Sequence, residues 1–117
     1  MKKISEIEIL GTTYGLYVDR SVTNPKLQNT DAYCELWSKK IVFSPFQRDD
    51  LTIESLQEYV SKIVRHEIVH AFFHESGLAS YVTDEMLVDW IAHKLCKIGA
   101  VCQKAEKSVV HHLVKSE

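Results

Sequence analysis

The chain has 117 residues, 45% of them apolar, and a formal net charge of -2. That length suits one domain spanning residues 1–117, and that apolar fraction supports one compact core. The near-neutral charge, without a long run of one sign, argues against a nucleic-acid protein, which usually shows a concentrated basic footprint, and no apolar stretch approaches the ~20 residues that span a bilayer.

The N-terminal "MKKISEIEIL" is interrupted by Ser5, Glu6 and Glu8. It does not read as a signal peptide, and a cytoplasmic location is expected. Period-two stretches follow in "EIEILGTTYGLYVDR": Ile7 and Ile9, then Tyr14, Leu16 and Val18, broken by Gly11 and Gly15. Residues 21–31 are rich in loop formers. "AYCELWSKKIVFSP" reads as a hairpin, with strands over residues 33–37 and 40–44 and Pro45 ending the second.

Near residue 50 the apolar period changes from two to 3.6. Leu56, Val60, Ile63, Val64, Ala71 and Phe72 predict a helix over about 53–76. Thr52 or Ser55 can cap it, Ser55 and Glu58 fit a capping box, and Gly77 suits the residue after its end. A second helix is expected over about 84–98, capped by Thr83 and ended by Gly99, with Leu87, Ile91, Leu95 and Ile98 as its apolar stripe. A short amphipathic helix is expected within residues 100–117. The fold class is therefore α+β: a small, mostly antiparallel sheet followed by two main helices. Cys34, Cys96 and Cys102 form no CxxC pair and read as reduced thiols.

The first helix carries "VRHEIVHAFFHESG". His66 and His70, four apart, lie one turn apart on one face, so two imidazoles can reach one ion at ~2.0–2.1 Å. Glu67 projects about 100° round the helix, where it can reach a metal-bound water rather than the metal. This is the HExxH pattern of a zinc hydrolase, with Glu67 as general base. The other reading is a pair of core histidines satisfied by backbone partners. His74 lies ~12 Å along the axis from His66, too far to share its ion. The second helix offers Glu85 as third ligand, with His93 as the other candidate there. Asp89, four residues after Glu85, can accept from a ligating histidine's other N–H. Glu85 also reads as a favourable acid at a helix start. Tyr81 is a candidate oxyanion stabiliser, or an aromatic packed on the core.

"HEIVH" with "EMLVD" resembles the gluzincin clan of zinc metallopeptidases, in which a second helix adds a glutamate and, four residues later, a supporting aspartate. The short spacing from His70 to Glu85 is similar to that of compact members, including the ImmA/IrrE and SprT-like groups. "HAFFHESGL" followed by "DEMLVDWIAHKL" looks like the phage-encoded group. The resemblance covers about residues 33–98. It implies a zinc peptidase with a peptide or protein substrate, and a strand before the active helix on which substrate adds as an extra strand. That strand is expected at residues 40–44. The alternative is a metal-stabilised or metal-free interaction module that keeps the fold without turnover. No nucleic-acid or membrane partner is expected.

Overall fold

A computed structural model describes residues 1–45 and 52–114. It has the α+β architecture. Four strands, β1 (Lys2–Ile9), β2 (Thr12–Val18), β3 (Ala32–Glu35) and β4 (Lys40–Phe43), precede two helices, α1 (Ile53–Glu75) and α2 (Glu85–Leu113). The strand order is β1-β2-β4-β3. β1–β2 and β3–β4 are antiparallel, and β2–β4 is parallel.

The two-residue turn between β1 and β2 places Leu10 at φ 50° and Gly11 at φ 88°, the left-handed pair whose twist matches a hairpin. Gly15 does not break the strand. It lies inside β2 opposite Lys40, where an added Cβ would meet the Tyr17 ring at 2.6 Å. The long return from β2 crosses the sheet before β3 begins, with a single 3-10 turn at Pro25–Leu27 capped by Asn24. β3 is thereby laid down at the outer edge, and β4 folds back between it and β2. Residues 40–44 are thus not an exposed edge. β4 is bonded on both sides, and the free edge beside the helices is β3.

α1 runs close to its expected span. Thr52 caps it, its side-chain oxygen accepting from Ser55 N–H at 3.1 Å, and Ser55 is not the cap. At the other end Gly77 has φ 83°. The Gly77 N–H bonds to His74 O and the Leu78 N–H to Phe73 O, which satisfies two of the last carbonyls.

α2 departs from expectation at both ends. Its cap is Asp84, whose carboxylate accepts from Leu87 N–H at 3.0 Å, not Thr83. Nor does it stop at Gly99. It continues to Leu113, absorbing the expected separate helix; residues 115–117 of that expected segment lie outside the described residues. An interior glycine weakens a helix by only about 1 kcal/mol relative to alanine, and no proline follows to force an end.

Two apolar clusters hold the layers together. The helix-facing side of the sheet supplies Ile9, Tyr14, Ala32, Ile41 and Phe43, which bury Ala71 of α1 with Ile63, Val64 and Ile68 beside it. One step round α1, Val69 and Phe73 pack on Val88, Ala92 and Ile91 of α2. The fully buried contacts of α2 are therefore Val88 and Ala92. Leu95 and Ile98 of the expected stripe are 47% and 45% exposed. Between its two buried faces, α1 presents residues 66, 67 and 70 to the gap where sheet and α2 meet. No helix of the described residues is long and apolar enough to cross a membrane.

Candidate metal centre

That gap is a cleft lined by Tyr33, Cys34 and Leu36 from the β3 side, His66, Glu67 and His70 from α1, and Val82 and Glu85 from the start of α2 and the loop before it. His66, His70 and Glu85 each bring one ligand atom to within 4.8 Å of the others. The two Nε2 atoms are 3.2 Å apart. His66 Nε2 is 2.9 Å from Glu85 Oε2, and His70 Nε2 is 3.0 Å from Oε1. Donors around a tetrahedral ion at ~2.0–2.1 Å sit about 3.3 Å apart, so the spacing matches a small divalent cation.

The outer nitrogens sharpen this. His70 Nδ1 lies 2.6 Å from the carbonyl oxygen of Val82. A carbonyl only accepts, so Nδ1 carries the hydrogen, and in the neutral ring Nε2 keeps its lone pair. Burial holds the His70 imidazole below its usual pKa, opposed by the Glu85 charge, which favours that neutral form. His66 Nδ1 is 3.4 Å from Asp89 Oδ1, and Lys62 Nζ approaches the same oxygen at 3.8 Å. With both Nδ1 positions turned to acceptors, two imidazole lone pairs and a carboxylate converge on one point. Such a set repels itself unless a proton or cation joins it, and its chemistry fits zinc.

Glu67 differs from Glu85. Glu85 has a side chain 66% exposed, whereas Glu67 is only 6% exposed and lies against Cys34. Burial pushes the Glu67 carboxyl up to about 7; the neighbouring His66 opposes the shift and Glu85 adds to it. Burial also pushes the Cys34 thiol up to about 12, with the Glu67 charge adding to it.

The remaining candidates are placed elsewhere. Tyr81 is 46% exposed and its ring sits 6.0 Å from that of Phe73; it is not among the residues lining the cleft. His93 is exposed and faces a separate groove with Lys62 and Arg65. His74 meets the Trp37 ring at 6.1 Å, beyond the end of the cleft. Sequence reasoning missed Cys34 and Val82. The Val82 contribution is a backbone carbonyl, which leaves no residue-type signal. No family model matches the chain, and no curated protein or solved structure matches it either.

Proposed function

We propose that the chain is a small zinc-dependent metallopeptidase. His66, His70 and Glu85 hold the ion, Asp89 and the Val82 carbonyl orient the two imidazoles, and Glu67 is the general base. The observation that carries the reading is the convergence of three ligand atoms while a fourth ionisable group, Glu67, stays buried beside them and outside the ligand set. A purely structural site has no use for that carboxylate and is normally closed by four protein ligands. Zinc bound there would polarise a water and the scissile carbonyl. Glu67 then takes the proton of the attacking water and returns it to the leaving amine.

The β3 edge supports a peptide substrate. Ser44 N–H bonds to Asp31 O, and in the antiparallel register this turns the backbone groups of residues 31, 33 and 35 toward β4. Those of Ala32 and Cys34 face outward along the cleft, although the Ala32 carbonyl already accepts from Thr30 Oγ1 at 3.1 Å. An extended peptide can add there as a further strand.

The test is metal content followed by hydrolysis of an unstructured protein at neutral pH, with and without chelator. Glu67→Gln should keep zinc and lose ~10²-fold or more in rate, the usual scale for a general base. His66→Ala should lose the metal together with the activity. Equal rates for wild type and Glu67→Gln would remove the peptidase mechanism. Zinc bound with no turnover would leave a non-catalytic interaction module in its place.

A further inference from the structure

β3 and α1 run side by side in the same direction. Asp31 meets Tyr59, Cys34 and Glu67 line one cleft, and Trp37 meets His74. The metal cleft therefore has a defined far end, beyond His70. There α1 carries Phe73 and His74, three and four residues on. At 100° and 1.5 Å per residue they diverge by about 60° and 40° to either side of His70, and lie about 4.5 and 6 Å further along the axis.

Each supports an exposed aromatic ring. On the α2 side Tyr81 packs on Phe73, their centroids 6.0 Å apart. On the sheet side Trp37 meets His74 at 6.1 Å, the rings inclined at 69°. Tyr81 is 46% exposed and Trp37 is 90% exposed. Single exposed apolar side chains are ordinary on a protein surface. These two are different in being held by separate loops on opposite sides of the same cleft exit. Trp37 follows Leu36 and Tyr81 precedes Val82, and both of those neighbours line the cleft.

We propose that Trp37 and Tyr81 form a subsite for a large apolar side chain of the substrate, aromatic above all, two or three residues before the scissile bond. The inference rests on the peptidase reading and on strand addition at β3. Antiparallel addition is the more stable kind, and such a strand runs from Trp37 toward Ala32, so its amino-terminal part lies at the aromatic end. A strand rises ~3.4 Å per residue, so the step of about 6 Å from His70 to His74 corresponds to about two residues, and the reach of the indole adds to it. Rings on opposite walls offer a third ring between them offset and edge-to-face contacts. A cationic side chain would also find ring faces there. It would find no free carboxylate on α1, because Glu75 is taken up by Thr12, Tyr14 and Lys39.

The test uses reduced, carboxymethylated ribonuclease A, an unfolded protein without tryptophan. Its fragments, sequenced by mass spectrometry, should show Phe, Tyr or Leu enriched two or three residues before the cleaved bonds. Trp37→Ala should abolish the enrichment and raise KM at such a site by ~10-fold, with kcat kept within about twofold. In Glu67→Gln, Trp90→Phe protein, Trp37 is the sole tryptophan, and its emission should move to shorter wavelength as the unfolded protein is added. Cleavage without that preference overturns the subsite and leaves the peptidase reading standing. So does a preference for Lys or Arg, an enrichment placed after the bond, or one that survives Trp37→Ala. An emission shift with no cleavage by wild type keeps the aromatic site and removes the peptidase. Neither cleavage nor shift overturns both. Emission that moves with protein concentration alone assigns Trp37 to a second copy and overturns the subsite.

Discussion

His66 Nδ1 lies 3.4 Å from Asp89 Oδ1, across the gap between α1 and α2. This contact turns the opposite ring nitrogen toward Glu85, because an imidazole fixed at one nitrogen has only the other to offer. Asp89 is 50% exposed and also meets Lys62, so its hold is partial. Asp89→Ala should therefore weaken zinc affinity by about 10–100-fold without abolishing it. His66→Ala should remove stoichiometric binding altogether. Competition against a chelating dye reads both. Equal losses in the two variants would mean that Asp89 is a ligand and not a support.

How far this site was legible depends on the range of each contact. His66 and His70 meet because four residues make one helical turn, a relation written into the chain. Glu85 and Asp89 repeat that relation on α2, and their meeting with the first pair needed only a short loop between two helices. The edge strand was not legible. Residues 40–44 directly precede the helix, but β4 pairs in parallel with β2, and that pairing across the chain pushes β3 to the outside. The end of α2 was misread for a local reason: Gly99 looks like a terminator, yet the sequence beyond it keeps helical periodicity. Tyr81 was a matter of direction, since a 3-10 turn at Ala79–Tyr81 sets its ring on Phe73 instead of in the cleft.

Glu75 ties the end of α1 to the sheet. Its carboxylate accepts from Thr12 Oγ1 at 2.7 Å, Tyr14 OH at 2.5 Å and Lys39 Nζ at 2.9 Å. The Tyr14, Lys39 and Thr12 hydrogen bonds hold its pKa down to about 2, below an ordinary carboxylate value of 4.5. A lowered carboxylate pKa gives stability that is complete above the unfolded value and lost as pH falls from about 4.5 toward 2. Glu75→Gln should be less stable at pH 7 by roughly 1.5–3 kcal/mol, the scale of hydrogen bonds to a charged group. Its deficit should shrink through that acid range and vanish near its lower end. Urea titrations at a series of pH values measure it. A deficit that stayed constant with pH would assign the effect to packing and not to charge.

The three free cysteines should separate by rate. Cys96 is exposed on α2, whereas Cys34 is packed against the core with its thiol pushed up to about 12. Only the thiolate reacts, and at pH 8 a thiol of that pKa is ionised to a fraction on the order of 10⁻⁴. Alkylation of native protein, followed by peptide mass, should label the exposed Cys96 and Cys102 first and leave Cys34 unmodified until the chain unfolds. Labelling of Cys34 as fast as Cys96 would contradict its place beside Glu67.

Glu67 gives a test that needs no substrate. In the metal-free protein burial raises its carboxyl from 4.5 to about 7. A raised carboxylate pKa means that the folded chain binds a proton more tightly than the unfolded chain. The folded state is therefore not penalised at low pH. It is progressively penalised as pH rises from about 4.5 through 7, and the full cost applies above that. The shift corresponds to on the order of 3 kcal/mol. Glu67→Gln replaces the carboxyl with a neutral amide of similar size and removes the dependence. Metal-free wild type and variant should have similar stability near pH 5, and at pH 8 the variant should be the more stable. Zinc held as proposed should reverse part of the difference, because a cation at His66 and His70 would favour the charged form of the neighbouring carboxylate. Addition of zinc should therefore stabilise wild type more than Glu67→Gln at pH 8, even with Glu67 outside the proposed ligand set. Thermal melts of both proteins at two pH values, with chelator and with zinc, supply all the comparisons. If the metal-free variant gains nothing between pH 5 and pH 8, Glu67 is not buried as a carboxylate beside the histidines, and its role as base loses its physical ground.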